Sequence, residues 1–242
     1  MAYSLKILDF ASILCSRSVL IKGEPSDKKT KIGCFAFLLQ SETENILIDT
    51  GIKSISEVNT TKSSPDNWRR DAGEYNLADN LSRHGLCCSD ISKVLITHTH
   101  YDHFSEIASL KNAEIYLNKK EYDFLFSDSH PHAKALNAQR EFIKEHGAVL
   151  MENTFRINSD ITAVYLGAHT PGSTAFKVNT DYGSVFLTGD SIFLIESLEK
   201  NVPIGFCTNY AEAQNAVKLF RDFNGIVLTS HDLKCKEVIK NV

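Results

Sequence analysis

The chain has 242 residues, 43% hydrophobic and 23% charged, globular proportions that exclude the low-hydrophobicity, high-charge signature of disorder and leave enough apolar material for a sizeable core. A formal net charge of −4 excludes a protein whose main task is gripping a phosphate backbone, which needs clustered Lys and Arg, so nucleic acid is not an expected partner. No window approaches the roughly 18 consecutive apolar residues of a membrane span, and Met1-Ala2-Tyr3-Ser4-Leu5-Lys6-Ile7 lacks a basic stretch leading into a long apolar run. The expectation is a single domain over residues 1–242, cytoplasmic, without a membrane partner. Six cysteines (Cys15, Cys34, Cys87, Cys88, Cys207, Cys235) form no C-x-x-C pair, and a core of this size needs no disulfides, so they read as reduced thiols.

In chain order, Ile32 to Leu39 and Asn45 to Ile48 are short runs rich in β-formers separated by Ser41-Glu42-Thr43-Glu44, a hairpin entering the core. Asp49-Thr50-Gly51 closes the second strand. From Ile52 to about Tyr75 the composition turns polar around Pro65 and the only tryptophan, Trp68, which predicts a long surface loop. Leu77 to Gly85 has helical spacing and ends on a glycine. Val94 to Thr97 is a buried strand, Glu114 to Leu117 another, and Lys119 to about Phe126 a helix. A further helix is expected from Ala133 to about His146 with Gly147 as its cap. Ile161 to Leu166, Ala175 to Val178, Val185 to Thr188 and Ile226 to Thr229 read as strands, with a helix over Tyr210 to Phe220. Strand-rich halves with helices outside predict a layered α/β protein, a helix-sheet-sheet-helix sandwich.

The segment Thr97-His98-Thr99-His100-Tyr101-Asp102-His103 places three imidazoles and a carboxylate directly after a buried strand. His98 and His100, two residues apart, share a side in an extended stretch, while Asp102 and His103 lie past the turn and face a second centre. Downstream, His169, Asp190 and His231 each end a β-run and begin a loop, where a rigid sheet holds a ligand with little positional freedom. Nitrogen and oxygen donors without cysteine suit zinc or, less selectively, iron, manganese, cobalt or nickel.

The set His-x-His-x-Asp-His, then His169, Asp190 and His231, with Asp49-Thr50-Gly51 upstream, resembles the metal-binding signature of the metallo-β-lactamase superfamily, over a stretch from Ile32 to about His231. Ligand spacing and the stretch Lys200-Asn201-Val202-Pro203-Ile204-Gly205-Phe206 make the chain most similar to the N-acyl homoserine lactonase group. The resemblance implies an αββα sandwich of two mixed sheets and two divalent metal ions. It assigns His98, His100 and His169 to one ion and Asp102, His103 and His231 to the other, with Asp190 between them. Asp49 is expected to buttress the ligand loops by hydrogen bonding rather than to bind metal. The implied reaction is attack of a metal-bridging hydroxide on the carbonyl of a small-molecule lactone or ester, with Asp102 steering or relaying the proton. A monomer or homodimer is expected.

The chain departs from the lactonase pattern where those enzymes place a tyrosine three residues after the bridging aspartate. Here that position is Phe193, which has no hydrogen to donate to a substrate carbonyl and reads as an apolar wall. Trp68, Tyr101 and Phe104 are the other candidate substrate contacts. His130 and His132, in Ser129-His130-Pro131-His132, read as solvated residues of a polar loop placed to serve as a lid. The alternative activities are a thioesterase of the glyoxalase II type, which shares these ligands, and hydrolysis of another small cyclic ester or amide.

Overall fold

Residues along the strand Lys29–Gln40 alternate between two cores. Phe35, Phe37 and Leu39 are buried on one side, Cys34, Ala36 and Leu38 on the other, so this strand lies inside a sheet covered on both faces. The computed structural model describes residues 3–61 and 66–240 and extends that logic to four layers.

A first sheet has the order β1-β2-β3-β4-β5-β6. Its strands are Ser4–Ser16 (β1), Lys29–Gln40 (β2), Asn45–Ile48 (β3), Lys93–Leu95 (β4), Glu114–Asn118 (β5) and Val149–Met151 (β6). β1 to β3 pair antiparallel, β3 to β6 parallel. The second sheet joins Thr154–Arg156 (β7), Ile161–Tyr165 (β8), Thr174–Thr180 (β9), Gly183–Leu187 (β10) and Ile226–Leu228 (β11) in the order β11-β10-β9-β8-β7. Only β10 and β11 run parallel there. Phe35, Phe37, Ile46, Ile48 and Leu95 of the first sheet meet Ile161, Phe176, Val178, Val185 and Leu187 of the second in one buried cluster, the middle of the sandwich. The outer face of the first sheet carries Leu77 and Leu81 from the helix Leu77–Ser82, Leu125 from Lys119–Leu125 and Ile143 from Asn137–His146. The outer face of the second presents Ala175 and Phe186 to Ala216, Val217 and Phe220 of the helix Tyr210–Arg221. Among the described residues no helix is long and apolar enough to cross a membrane.

Several expectations need correction. β1 was not anticipated from its sequence; a bulge between Asp9 and Ala11 shifts the register and breaks the period-two pattern by which a strand is recognised. The polar stretch 52–75 is not simply a surface loop. It holds the helix Ile55–Thr61 and folds back on β1, because Arg69 pairs with Ser12 and Asn59 brackets the Trp68 backbone at 2.7 and 3.0 Å. Pro65 lies outside the described residues. The helix expected from Ala133 starts at Asn137, after a turn whose Leu136 N–H donates to the His132 carbonyl. Gly147 does stand at its C-cap, with φ 82°.

Candidate metal centre

The ends of strands from both sheets converge on one place. Asp49 follows β3, His98 to His103 follow β4, His169 follows β8, Asp190 follows β10 and His231 follows β11. Three backbone bonds lock the sheets together here: Thr174 N–H donates to the Thr97 carbonyl, Gly33 N–H to that of His231 and Phe35 N–H to that of Ser230, at 2.9 Å each. Gly189, just before Asp190, has φ +53°, and a Cβ there would meet Thr97 Cβ at 2.7 Å, so only glycine lets the two loops approach this closely.

The seven candidate ligands form two groups. Donor atoms of His98, His100, His169 and Asp190 lie within 4.8 Å of one another, as do those of Asp102, His103 and His231. Asp190 also reaches the second group. Its Oδ2 lies 3.3 Å from His169 Nε2 and 3.6 Å from His98 Nε2, while its Oδ1 lies 2.9 Å from His231 Nε2 and 3.2 Å from His103 Nε2. The turn Tyr101–Phe104 separates the two groups, carrying His98 and His100 to one side and Asp102 and His103 to the other.

The hydrogen-bonding network assigns the proton on four of the five rings and so tests whether a cation fits. His103 Nδ1–H donates to Asp49 Oδ2 at 2.8 Å, His231 Nδ1–H to the Gly33 carbonyl at 2.6 Å and His169 Nδ1–H to the Phe206 carbonyl at 3.1 Å. Thr97 gives its hydroxyl hydrogen to Asp49 at 2.8 Å and therefore accepts from His98 Nδ1–H at 3.1 Å. All four rings are left with Nε2 lone pairs turned inward. His98 Nε2 and Asp190 Oδ1 are buried without a hydrogen-bond partner. His103 Nε2 faces His231 Nε2 at 3.3 Å, and His169 Nε2 faces His100 Nδ1 at 2.9 Å. The lone pairs of His103 and His231, held this close in a buried place, repel unless positive charge lies between them. The residues fit divalent metal ions, and nitrogen and oxygen donors are the set that zinc, iron, manganese, cobalt and nickel share.

The electrostatics divide the rings. Burial pushes His98, His100 and His169 below the usual histidine range, which keeps them neutral as ligands must be. Around Asp190 the opposite holds. Burial there would raise the carboxyl, yet His231, His103 and His98 hold it well below the ordinary carboxylate range. Burial likewise opposes charge on His103 and His231, and Asp190 above all overcomes it, so both are raised. Asp102 is the member open to solvent, its side chain 16% exposed and its Oδ2 3.6 and 3.7 Å from His103 and His231 Nε2.

The aromatic candidates divide. Phe193 stands 5.4 Å from the His169 ring and 5.6 Å from the His231 ring, and Trp68 6.2 Å from His231. Both border the centre. Tyr101 and Phe104 are fully buried, and the Tyr101 hydroxyl donates to Glu57 at 2.6 Å, so these two serve the packing beneath the ligands rather than contact with substrate. His130 and His132 are not free in solvent, the first being buried and the second half-buried. His130 is buried and its Nε2–H donates to Thr99 Oγ1 at 3.1 Å, and the His132 ring lies 5.4 Å from that of His100. Burial lowers the pKa of His132, with Asp102 working against it. Phe206, 5.3 Å from the His169 ring, is 55% exposed.

Two supporting carboxylates were not legible. Glu121, fully buried on the helix Lys119–Leu125, accepts from Thr99 N and Oγ1 (both 2.8 Å), Thr170 Oγ1 (2.7 Å) and Gly172 N (2.9 Å), tying the His98–His103 loop to the His169 loop. Glu212, on the helix Tyr210–Arg221, accepts from Ala168 N at 3.0 Å and holds Ala168 at φ 70°. Neither has a local signal, since a lone glutamate early in an amphipathic helix ordinarily faces water.

Comparison with known proteins identifies the family and the fold. The Metallo-beta-lactamase superfamily profile matches residues 30–224. An N-acyl homoserine lactonase of Bacillus thuringiensis is 24% identical over 242 residues, covering 94% of this chain and 90% of that protein. Among solved structures, an N-acyl homoserine lactone hydrolase with the product N-hexanoyl-L-homoserine at its catalytic metal centre superposes with a TM-score of 0.83 at 18% identity, over 98% of this chain and 97% of the other. A dizinc quorum-quenching lactonase gives 0.70 at 19% identity, over 95% and 87%. At such identities these structures speak for the fold, two mixed sheets with helices outside. With the profile spanning most of its length, the chain belongs to the metallo-β-lactamase superfamily.

Proposed function

We propose that the chain is a metal-dependent hydrolase that opens a lactone ring of the N-acyl homoserine class. His98, His100 and His169 would hold one divalent ion and Asp102, His103 and His231 a second, with Asp190 placed to serve both groups. Zinc is the proposed metal. Residues 1–242 act as one domain in this reading. The observation that carries it is the placement of Asp190, one oxygen facing each histidine group, together with lactonase relatives that match along 94% of the chain.

Bound there, two divalent ions supply a nucleophile from water near neutral pH and polarise an ester carbonyl. The chain's own residues do the rest. Asp49 fixes the His103 ring through its Nδ1–H, Asp102, open to solvent, carries the proton towards the departing alkoxide, and Phe193 and Trp68 exclude water beside the histidines. Exposed Phe206 gives an acyl chain an apolar surface next to the centre.

The test is hydrolysis of N-acyl homoserine lactones of varied chain length, an aryl ester, S-lactoylglutathione and a penicillin, with metal content measured on the same protein. Lactone turnover lost on chelation and restored by Zn2+ is expected. Two ions bound without lactone turnover move the substrate elsewhere, S-lactoylglutathione marking the thioesterase alternative. Protein that takes up no metal overturns the reading.

A further inference from the structure

The segment His130-Pro131-His132 is built into the centre rather than laid over it. Thr99 gives its hydroxyl hydrogen to Glu121 and accepts one from His130 Nε2 at 3.1 Å. The opposite nitrogen of His130 then accepts the His132 backbone N–H at 3.2 Å. This relay, Glu121 to Thr99 to His130 to His132, fixes the His132 backbone to the loop that carries His98 and His100. Proline between the two histidines removes a backbone freedom from the same turn. The His132 ring ends edge-on to His100, 5.4 Å between centroids at 87°, and 6.4 Å from the Tyr101 ring, where the charge of Asp102 acts on it. Its Nδ1 is buried and, unlike those of His98, His103, His169 and His231, has no hydrogen-bond partner among the described residues. No metal group includes it. An unpaired buried nitrogen on a ring whose backbone is held this firmly costs stability unless it meets something at the site.

Phe193, beside His169 and His231, has no hydrogen to donate, so that wall offers nothing to an oxygen gaining charge. We infer that His132 donates a hydrogen bond to the substrate's carbonyl oxygen, the part Phe193 cannot take. The inference rests on the hydrolase reading above. It makes the turn 130–132 part of the substrate-recognition surface and selects substrates with an oxygen on the His100 side of the centre.

The test compares the zinc-loaded full-length chain with His132→Phe, which keeps a ring but no donor, and His132→Gln, which restores an N–H. Loss of one donor to a developing oxyanion lowers kcat by about 10²–10³-fold. That loss is expected for His132→Phe with metal content and thermal midpoint unchanged, and His132→Gln is expected to recover at least tenfold of it. His132→Phe turning over at the wild-type rate, both variants equally slow, or a loss that follows metal content overturns the inference. A second readout needs no turnover. Adding N-hexanoyl-homoserine to the zinc-loaded wild type shifts the His132 imidazole nitrogen resonances, assigned by their absence in His132→Gln. No shift overturns the role of His132 even where lactones are hydrolysed, whereas a shift in a protein that hydrolyses no lactone upholds it and refutes only the proposed reaction.

Discussion

Asp49 works on the centre through three hydrogen bonds, all at 2.8 Å: its Oδ1 accepts from Thr97 N, and its Oδ2 from Thr97 Oγ1 and His103 Nδ1, holding both ends of the segment 97–103. Its own backbone sits at φ 62°, a region that aspartate tolerates better than most residues. Asp49→Ala is therefore expected to weaken metal affinity about 10–100-fold, as loss of a ring-orienting partner does. Competition with a chromophoric chelator checks this, and unchanged affinity would show that Asp49 only packs. Asp190 is a harsher case, since Asp190→Asn places an amide N–H2 opposite imidazole lone pairs on one side or the other. Metal content and turnover should collapse together, and turnover at the wild-type level with an amide in place of this carboxylate would remove the central claim. Glu121 accepts four hydrogen bonds in a buried place, and the amide of Glu121→Gln turns donors against donors. An unfolding free energy lower by about 3 kcal/mol is expected from the bonds lost to a charged acceptor, read by denaturant titration.

At the level of elements, the helix Ile55–Thr61 is tied to the loop of candidate ligands by the Tyr101 hydroxyl on Glu57 at 2.6 Å, beside the bonds of Asn59 to the Trp68 backbone. Burial and then Glu57 raise the Tyr101 pKa well above the usual tyrosine range, so the hydroxyl keeps its hydrogen as pH rises. Tyr101→Phe should cost about 2 kcal/mol locally and speed amide exchange in 55–61 while metal content is retained; protection equal to wild type would locate the tie elsewhere. A second junction joins the turn Arg17–Leu20 to the helix Glu196–Lys200, through Arg17 and Lys200 on Glu24 and Glu196. Lys200 and Arg17 pull the Glu24 carboxyl down to about 2 from 4.5. A depressed carboxylate contributes stability that is present above its unfolded pKa and is lost as pH falls through the folded one. The thermal midpoint of the wild type should therefore drop between about pH 4.5 and 2, and Glu24→Gln should flatten part of that drop; parallel curves for the two proteins would refute the linkage.

At the scale of the whole molecule the centre is also a clasp. Its donors come from loops of both sheets, so an ion held there resists separation of the two halves. Ligand binding to the native state alone adds RT ln(1 + [L]/Kd), about 4 kcal/mol at a thousandfold excess over Kd. Chelation should lower the unfolding midpoint accordingly and Zn2+ should restore it, a change followed by calorimetry.

What the sequence determined by itself was the set of candidate donors and the layered fold. His98 to His103, His169, Asp190 and His231 each follow an apolar run, and strand ends are visible because burial forces a long apolar stretch to stop where the polar cluster begins. The hairpin of β2 and β3 was legible as two apolar runs broken by a polar turn, and the helix Tyr210–Arg221 from its apolar spacing. Where the period fails, at the bulge in β1 or in three-residue strands such as β6 and β7, local pattern carried no message. The roles of Glu121, Glu212, Tyr101 and His132 belong to the tertiary structure alone. Each depends on contacts with residues distant in the chain, as Thr99 and Thr170 are 22 and 49 positions from Glu121. No local propensity encodes such a contact; it exists only once packing of the two sheets has brought the loops within hydrogen-bonding distance.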